Sequence, residues 1–142
     1  MATPFLNVYS IFSLLNQDKR FLETLSVENQ EEILQGLLLK SAIDFYECKT
    51  DLSFDLESKS FTETLSQDEQ YILAEFMRLY WTQRLLYDEK NLRIQLGDRD
   101  YKMFSPTNHL KALSELETKT KNELKKRIIK YKNKSTLWGR SE

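Results

Sequence analysis

Ser66-Gln67-Asp68-Glu69, followed without proline or glycine through Leu96 and then by Gly97, is the stretch that decides the fold. A serine three residues ahead of a glutamate is a capping box: the hydroxyl accepts from the Glu69 amide, and the carboxylate reaches back to the Ser66 amide. A helix therefore starts at Ser66, and the sequence offers nothing to stop it before Gly97. It holds about 30 residues and spans roughly 45 Å at 1.5 Å per residue. The ten residues Gly97 to Pro106 read as a short turn, in which Ser105 is the N-cap of a second helix and Pro106 its first residue, where a missing N–H costs nothing. Those two helices, Ser66 to about Tyr131, make a hairpin on which the rest of the chain has to pack.

Composition agrees with a helical chain. Three glycines and two prolines in 142 residues are few for a β protein, which needs turn residues at short intervals. The fold expected is all-α: an antiparallel helical bundle built on the hairpin, with one domain over residues 1 to 132 and an extended C-terminal arm over 133 to 142. The length suits one core. Cys48 is the only cysteine, so no internal disulfide is expected, and one histidine with one cysteine does not make a common zinc site. Neither a signal peptide nor a run of 18 apolar residues is present, which leads us to expect a protein made in the cytosol and used there or in a particle assembled there.

The net charge of −1 conceals a division. Residues 1 to 118 carry 12 Lys or Arg against 20 Asp or Glu, and residues 119 to 142 carry 9 against 2. The ends are thus −8 and +7. Such polarity suggests contact with an anionic surface, either nucleic acid or an acidic protein, although lysines and glutamates also simply solvate helix faces.

Ahead of the hairpin, Met1 to Phe5 reads as an extended arm, because Pro4 disfavours helix at Thr3. Asn7 can cap a helix through Leu15, with Phe5, Val8, Ile11, Phe12 and Leu15 along one face. Asp18 begins another turn carrying Phe21, Leu22 and Leu25, and Ser26 offers a fresh cap. A helix from about Val27 to Tyr46 has acids near its positive start and a wide apolar stripe. From Glu47 to Leu65 the periodicity fails. A loop of roughly 19 residues is long for a compact domain and is usually functional or ordered by a partner. Its Leu52, Phe54, Leu56 and Phe61 are candidate partner contacts, and alternation from Leu52 to Leu56 would also suit a brief strand.

Within the hairpin, apolar residues surround the first helix from Tyr71 to Tyr87, Trp81 among them, so it is the central element, covered by other helices or by a neighbouring subunit. The second helix carries a narrower stripe: Leu110, Leu113, Leu116, Thr120, Leu124, Ile128 and Tyr131. Beyond Lys119 its other face is basic. Lys130, Lys132 and Lys134 lead into the terminal Leu137 and Trp138, an apolar pair suited to a groove on a partner.

No catalytic constellation is visible. Dinucleotide and phosphate loops, HExxH and a serine nucleophile elbow are all missing, and no cofactor is expected. His109 near the start of the second helix reads as a packing or hydrogen-bonding residue, and Asp98 with Asp100 as a turn held by side-chain hydrogen bonds rather than an acid/base pair. Cys48 beside Lys49 reads as a small packed residue. An enzyme is not expected.

The turn is nevertheless specific. Asn91-Leu92-Arg93, Leu96-Gly97-Asp98-Arg99-Asp100-Tyr101-Lys102-Met103-Phe104-Ser105-Pro106 and Asn108-His109-Leu110-Lys111 resemble the neck proteins of tailed bacteriophages, small helical head-completion or head-to-tail connector (adaptor) proteins. Upstream, Asn7-Val8-Tyr9 with Phe12, Leu39-Lys40-Ser41-Ala42-Ile43 with Phe45, Cys48, Asp51-Leu52, and Leu73, Ala74, Met77 and Trp81 extend the likeness, which covers about residues 4 to 131. About ten residues continue past the point where members of that family finish in a short Tyr-rich ending. The resemblance implies a virion structural protein. It would form a ring of about twelve copies on the portal protein, touching tail or other neck proteins, with DNA passing through the lumen without sequence-specific binding and no membrane involved. The competing expectation is a small helical nucleic-acid-binding protein that uses the basic C-terminal end.

Overall fold

A mostly helical chain with one small sheet emerges from the computed structural model, which describes residues 2–15, 27–104 and 109–140. Side chains at 27, 28, 89, 92, 93, 96, 98, 100–104, 109 and 135–140 lie outside the description. Among the described residues the elements are β1 (Thr3–Pro4), α1 (Phe5–Leu15), α2 (Val27–Asp44), β2 (Phe54–Asp55), β3 (Ser60–Phe61), α3 (Gln67–Phe104) and α4 (His109–Arg140). Helix α3 is packed by α1, α2 and α4 together. Between Tyr71 and Leu86 the apolar side chains of α3 are buried or half-buried within one copy, Trp81 at 1% exposure included. Tyr87 and Ile94 beyond them are exposed.

The capping box at the start of α3 forms with both of its bonds. The Glu69 amide donates to Ser66 Oγ at 3.1 Å, and the Ser66 amide donates to Glu69 Oε1 at 2.9 Å. At the other end the sequence reading needs correction. Gly97 breaks the helix with φ 80° and ψ 161°, a region open essentially to glycine alone. The chain then returns to helix through Phe104. Arg99 to Phe104 contain no helix breaker, so a single glycine kinks α3 where ten residues were expected to turn. The proposed Ser105 and Pro106 cap lies outside the described residues, as do the Asp18 turn, Phe21, Leu22, Leu25 and Ser26.

Two further corrections concern the all-α expectation. The N-terminal arm is not free, and the long loop is not wholly irregular: β1, β3 and β2 form an antiparallel sheet in that order, with Thr3 opposite Phe61 and Phe54 opposite Phe61 on the other side. Thr3 Oγ1 donates to the Glu63 carbonyl at 3.0 Å and accepts from the Leu65 amide at 2.8 Å. The Phe5 amide donates to the Lys59 carbonyl at 2.9 Å, so α1 begins at Phe5 on a backbone partner rather than at an Asn7 cap. Phe5 and Phe61 stack edge to face at 5.1 Å, both buried. Each such burial is worth about 1.5–3 kcal/mol, which offsets the ordering of roughly one or two residues on either side.

Helix α2 ends at Asp44, close to its expected limit, and places Leu38 and Ser41 in the core. The α4 stripe lies against α3 as its spacing predicts, with Leu113, Thr120, Leu124 and Tyr131 buried. Pairs run antiparallel along the two helices: Arg78 with Glu123, Glu75 with Arg127, Asp68 with Lys134. The backbone of α4 continues helical to Arg140, so residues 133 to 140 are not an extended arm. Nothing in Asn133 to Trp138 interrupts a helix already nucleated, and adding residues to it is cheap.

Candidate assembly surfaces

A buried carboxylate fixes the far end of α4. Glu69, already engaged by Ser66, accepts from Thr50 Oγ1 at 2.9 and 2.8 Å and from Cys48 Sγ at 3.4 Å. Tyr131 Oη donates to Glu69 Oε2 at 2.7 Å and itself accepts from the Lys49 amide at 2.8 Å. The Tyr131 ring stands edge-on to Phe45 at 5.6 Å, and one helical turn further Lys134 reaches Asp68 at 3.1 Å. Burial pushes Glu69 towards the neutral form, but hydrogen bonds from Tyr131, the Ser66 amide, Thr50 and Cys48 prevail and hold its pKa below the usual glutamate value. The segment after α2, the start of α3 and the end of α4 are therefore joined at one charged group.

Outward from this hub runs the basic face of α4. Lys119, Lys121, Lys125, Lys126, Lys130, Lys132 and Lys134 are exposed. Arg127 is committed inward, 3.6 Å from Glu75 and stacked over the Tyr71 ring at 4.0 Å. Ile129, missed in the sequence reading because it falls outside the apolar stripe, is 57% exposed in the middle of the lysines. The side chains of Leu137 and Trp138, like those of Asp98, Asp100 and His109, lie outside the described residues.

The second surface is the β2–β3 hairpin. Four apolar residues were expected to meet a partner, and the structure divides them. Phe61 is fully buried at the centre of the sheet and Leu52 packs half-buried against the core, because β3 is the middle strand and its inward side chain faces Phe5. Neither offers a partner surface. Phe54 and Leu56 remain 40% and 48% exposed on the edge strand and its turn. In the same segment Asp51, Asp55, Glu57 and Glu63 are exposed. Asp51 and Asp55 also shape the turns, accepting from the Ser53 amide at 3.1 Å and the Glu57 amide at 3.0 Å. Lys59, at φ 53°, pairs with Glu31 of α2 and so pins the hairpin tip to the helices.

Leu6 and Leu14 on α1 are exposed too, and so are Ile43 and Tyr46, which the apolar stripe expected from Val27 to Tyr46 had included. Among the described residues no group of three or more His, Cys, Asp or Glu could hold a metal ion, and no helix is long and apolar enough to cross a membrane. No family model, curated protein or solved structure matches the chain.

Proposed function

We propose that this chain is a structural subunit of the neck of a tailed bacteriophage, a connector that forms a ring between the portal of the head and the tail and surrounds the DNA exit channel. The observation that carries the reading is the ordered run from Asn91 to Lys111, with its likeness upstream, in the neck-protein pattern. Many of the residues that share the pattern are core residues here: Val8, Phe12, Ser41, Leu73, Ala74, Met77 and Trp81 are all buried to within 1%. A pattern carried by core positions speaks for a common fold, with α3 and α4 as its antiparallel hairpin.

The surfaces support a role in assembly. A small chain that exposes Phe54 and Leu56 among acids, and Ile129 among lysines, has apolar area suited to contacts between proteins. The end of α4, with Lys130, Lys132 and Lys134 followed by Leu137 and Trp138, is the segment we assign to the portal. Its positive field would steer association with an acidic surface, and the Leu-Trp pair would give it register.

Negative-stain microscopy of the protein alone and mixed with portal-bearing heads tests the reading. A ring at the portal vertex is expected, and truncation after Lys132 should abolish retention by heads while leaving the rest of the subunit folded. Heads that never take up the protein would refute the connector role. The second reading, nucleic-acid binding through α4, is favoured by the +7 charge of residues 119 to 142 and predicts salt-dependent retention of DNA by the isolated protein.

A further inference from the structure

Two exposed patches of opposite charge are carried on different flanks of α3, and we infer that they are the two halves of one contact, made head to tail between copies of this chain. The inference rests on the connector reading for the premise that copies meet. Which surfaces meet is its own content.

The first patch is the outer face of α4. Lys119 to Lys134 hold eight basic residues against Glu123 alone, a net +7 in 16 residues. Arg127 and Lys134 are engaged within the copy, which leaves Lys125, Lys126 and Lys130 around the exposed Ile129. The second patch is the hairpin segment, which exposes Asp51, Asp55, Glu57 and Glu63 together with Phe54 and Leu56. Each patch combines exposed apolar side chains with charges, as protein interfaces do, and the charges are of opposite sign.

The partner that fits both patches is another copy. The hairpin rests on α1 through Phe5 and Phe61 and on α2 through the Lys59–Glu31 pair, while α4 packs on α3, which lies between. A complementary pair of patches on different flanks generates a heterologous contact, which propagates from copy to copy and closes into a ring when the rotation allows. A DNA backbone suits the lysines but offers Ile129 only small sugar C–H surfaces among its phosphates. It would also meet repulsion from residues 1 to 118, at −8.

Charge reversal in two separate proteins tests the pairing. Asp51 and Asp55 shape the hairpin turns, so the acids to reverse are Glu57 and Glu63, in E57K/E63K; Lys130 belongs to the segment assigned to the portal, so the lysine variant is K121E/K125E/K126E, all three exposed on α4. Molecular mass is read by light scattering at low and high ionic strength, with thermal unfolding as the check on folding. Wild type is expected to self-associate at low salt and dissociate at high salt. Each variant alone should remain a folded monomer, because two reversals bring the four hairpin acids to zero and three bring the lysine face from +7 to +1, so neither variant keeps the attraction between the patches. Wild type that stays monomeric at low salt, or variants that associate like wild type, would each overturn the inference. So would duplex DNA retained by the lysine face in place of self-association. Binding to portal-bearing heads is scored separately. Heads that retain wild type and both variants alike would leave the connector role standing and remove this contact. Charge-dependent self-association without head binding would do the reverse.

Discussion

Tyr131 donates a hydrogen bond of 2.7 Å to Glu69 across 62 residues of sequence, and the same phenol oxygen accepts from the Lys49 amide. Removing that oxygen in Tyr131→Phe leaves a carboxylate lone pair and a partly buried amide without their partner. Leaving a buried polar group unsatisfied costs about 1–3 kcal/mol. Chemical denaturation should show a loss in that range, and a loss under about 0.5 kcal/mol would mean that water replaces the phenol at no cost.

Glu69 makes the stability depend on pH with a definite sign. Its folded pKa lies below its unfolded value, so its contribution is complete above the unfolded pKa, about 4.3, and is lost as pH falls through the folded one. Glu69→Gln is therefore expected to be less stable than wild type at neutral pH, with the two curves converging only below the ordinary glutamate range. Parallel curves down to strong acid would contradict this.

Glu75 runs the other way. Burial pushes its pKa up, Arg127 opposes that only in part, and Oε2 makes no hydrogen bond among the described residues. Ionisation at this position is a net cost in the folded state above the unfolded pKa. Glu75→Gln should leave the melting temperature at pH 7 unchanged or higher, since Arg127, 44% exposed, can turn to water. A clear drop would show that the ion pair outweighs the burial.

Burial, with the Glu69 charge beside it, pushes the Cys48 thiol up to about 12 despite a backbone hydrogen bond from Thr50 that works against the shift. A thiol with so little thiolate at neutral pH is a poor nucleophile. Labelling by a thiol reagent should be slow in the native protein and fast in denaturant. Equal rates would place Cys48 outside the hub.

The hairpin's start was legible at Ser66 and Glu69 because a capping box is a local device, written within four residues. Glu69's other partners were not legible, for they come from Cys48, Thr50 and Tyr131, and spacing along one helix carries no information about them. The sheet was legible only in part. Alternation from Leu52 to Leu56 marked the place of β2, but so short a strand does not name its partner, and Phe61 is read as a loop residue until Thr3 and Phe5 are placed beside it. At Gly97 the break was visible and its brevity was not, since a glycine marks a change of direction without fixing the conformation of the residues after it. The lysine face showed itself in the charge count, but Ile129 within it did not, being one apolar residue off the stripe.

The two central glycines should respond oppositely to alanine. Gly36 lies inside α2, and a Cβ added there would have nothing within 4 Å, so Gly36→Ala should stabilise by about 0.5–1 kcal/mol. Gly97 has equal space but φ 80°, and alanine there should cost about 1–3 kcal/mol or straighten the kink. Amide exchange over residues 90 to 104 reads the second effect directly. Faster exchange after Gly36→Ala would mean that its backbone, not its missing side chain, matters.

The strand order of the small sheet also dictates a sequence of events during synthesis. β2 and β3 are neighbours along the chain and can pair as soon as both have left the ribosome, whereas β1 must wait for the chain to reach Leu65, whose amide its Thr3 hydroxyl accepts from 62 residues away. Closing so long a loop is entropically costly until α1 and α3 have met. Thr3 to Phe5 are thus among the last residues of the sheet to settle, and a nascent chain stalled before Leu65 would leave Phe5 and its strand open to chaperones or to other chains.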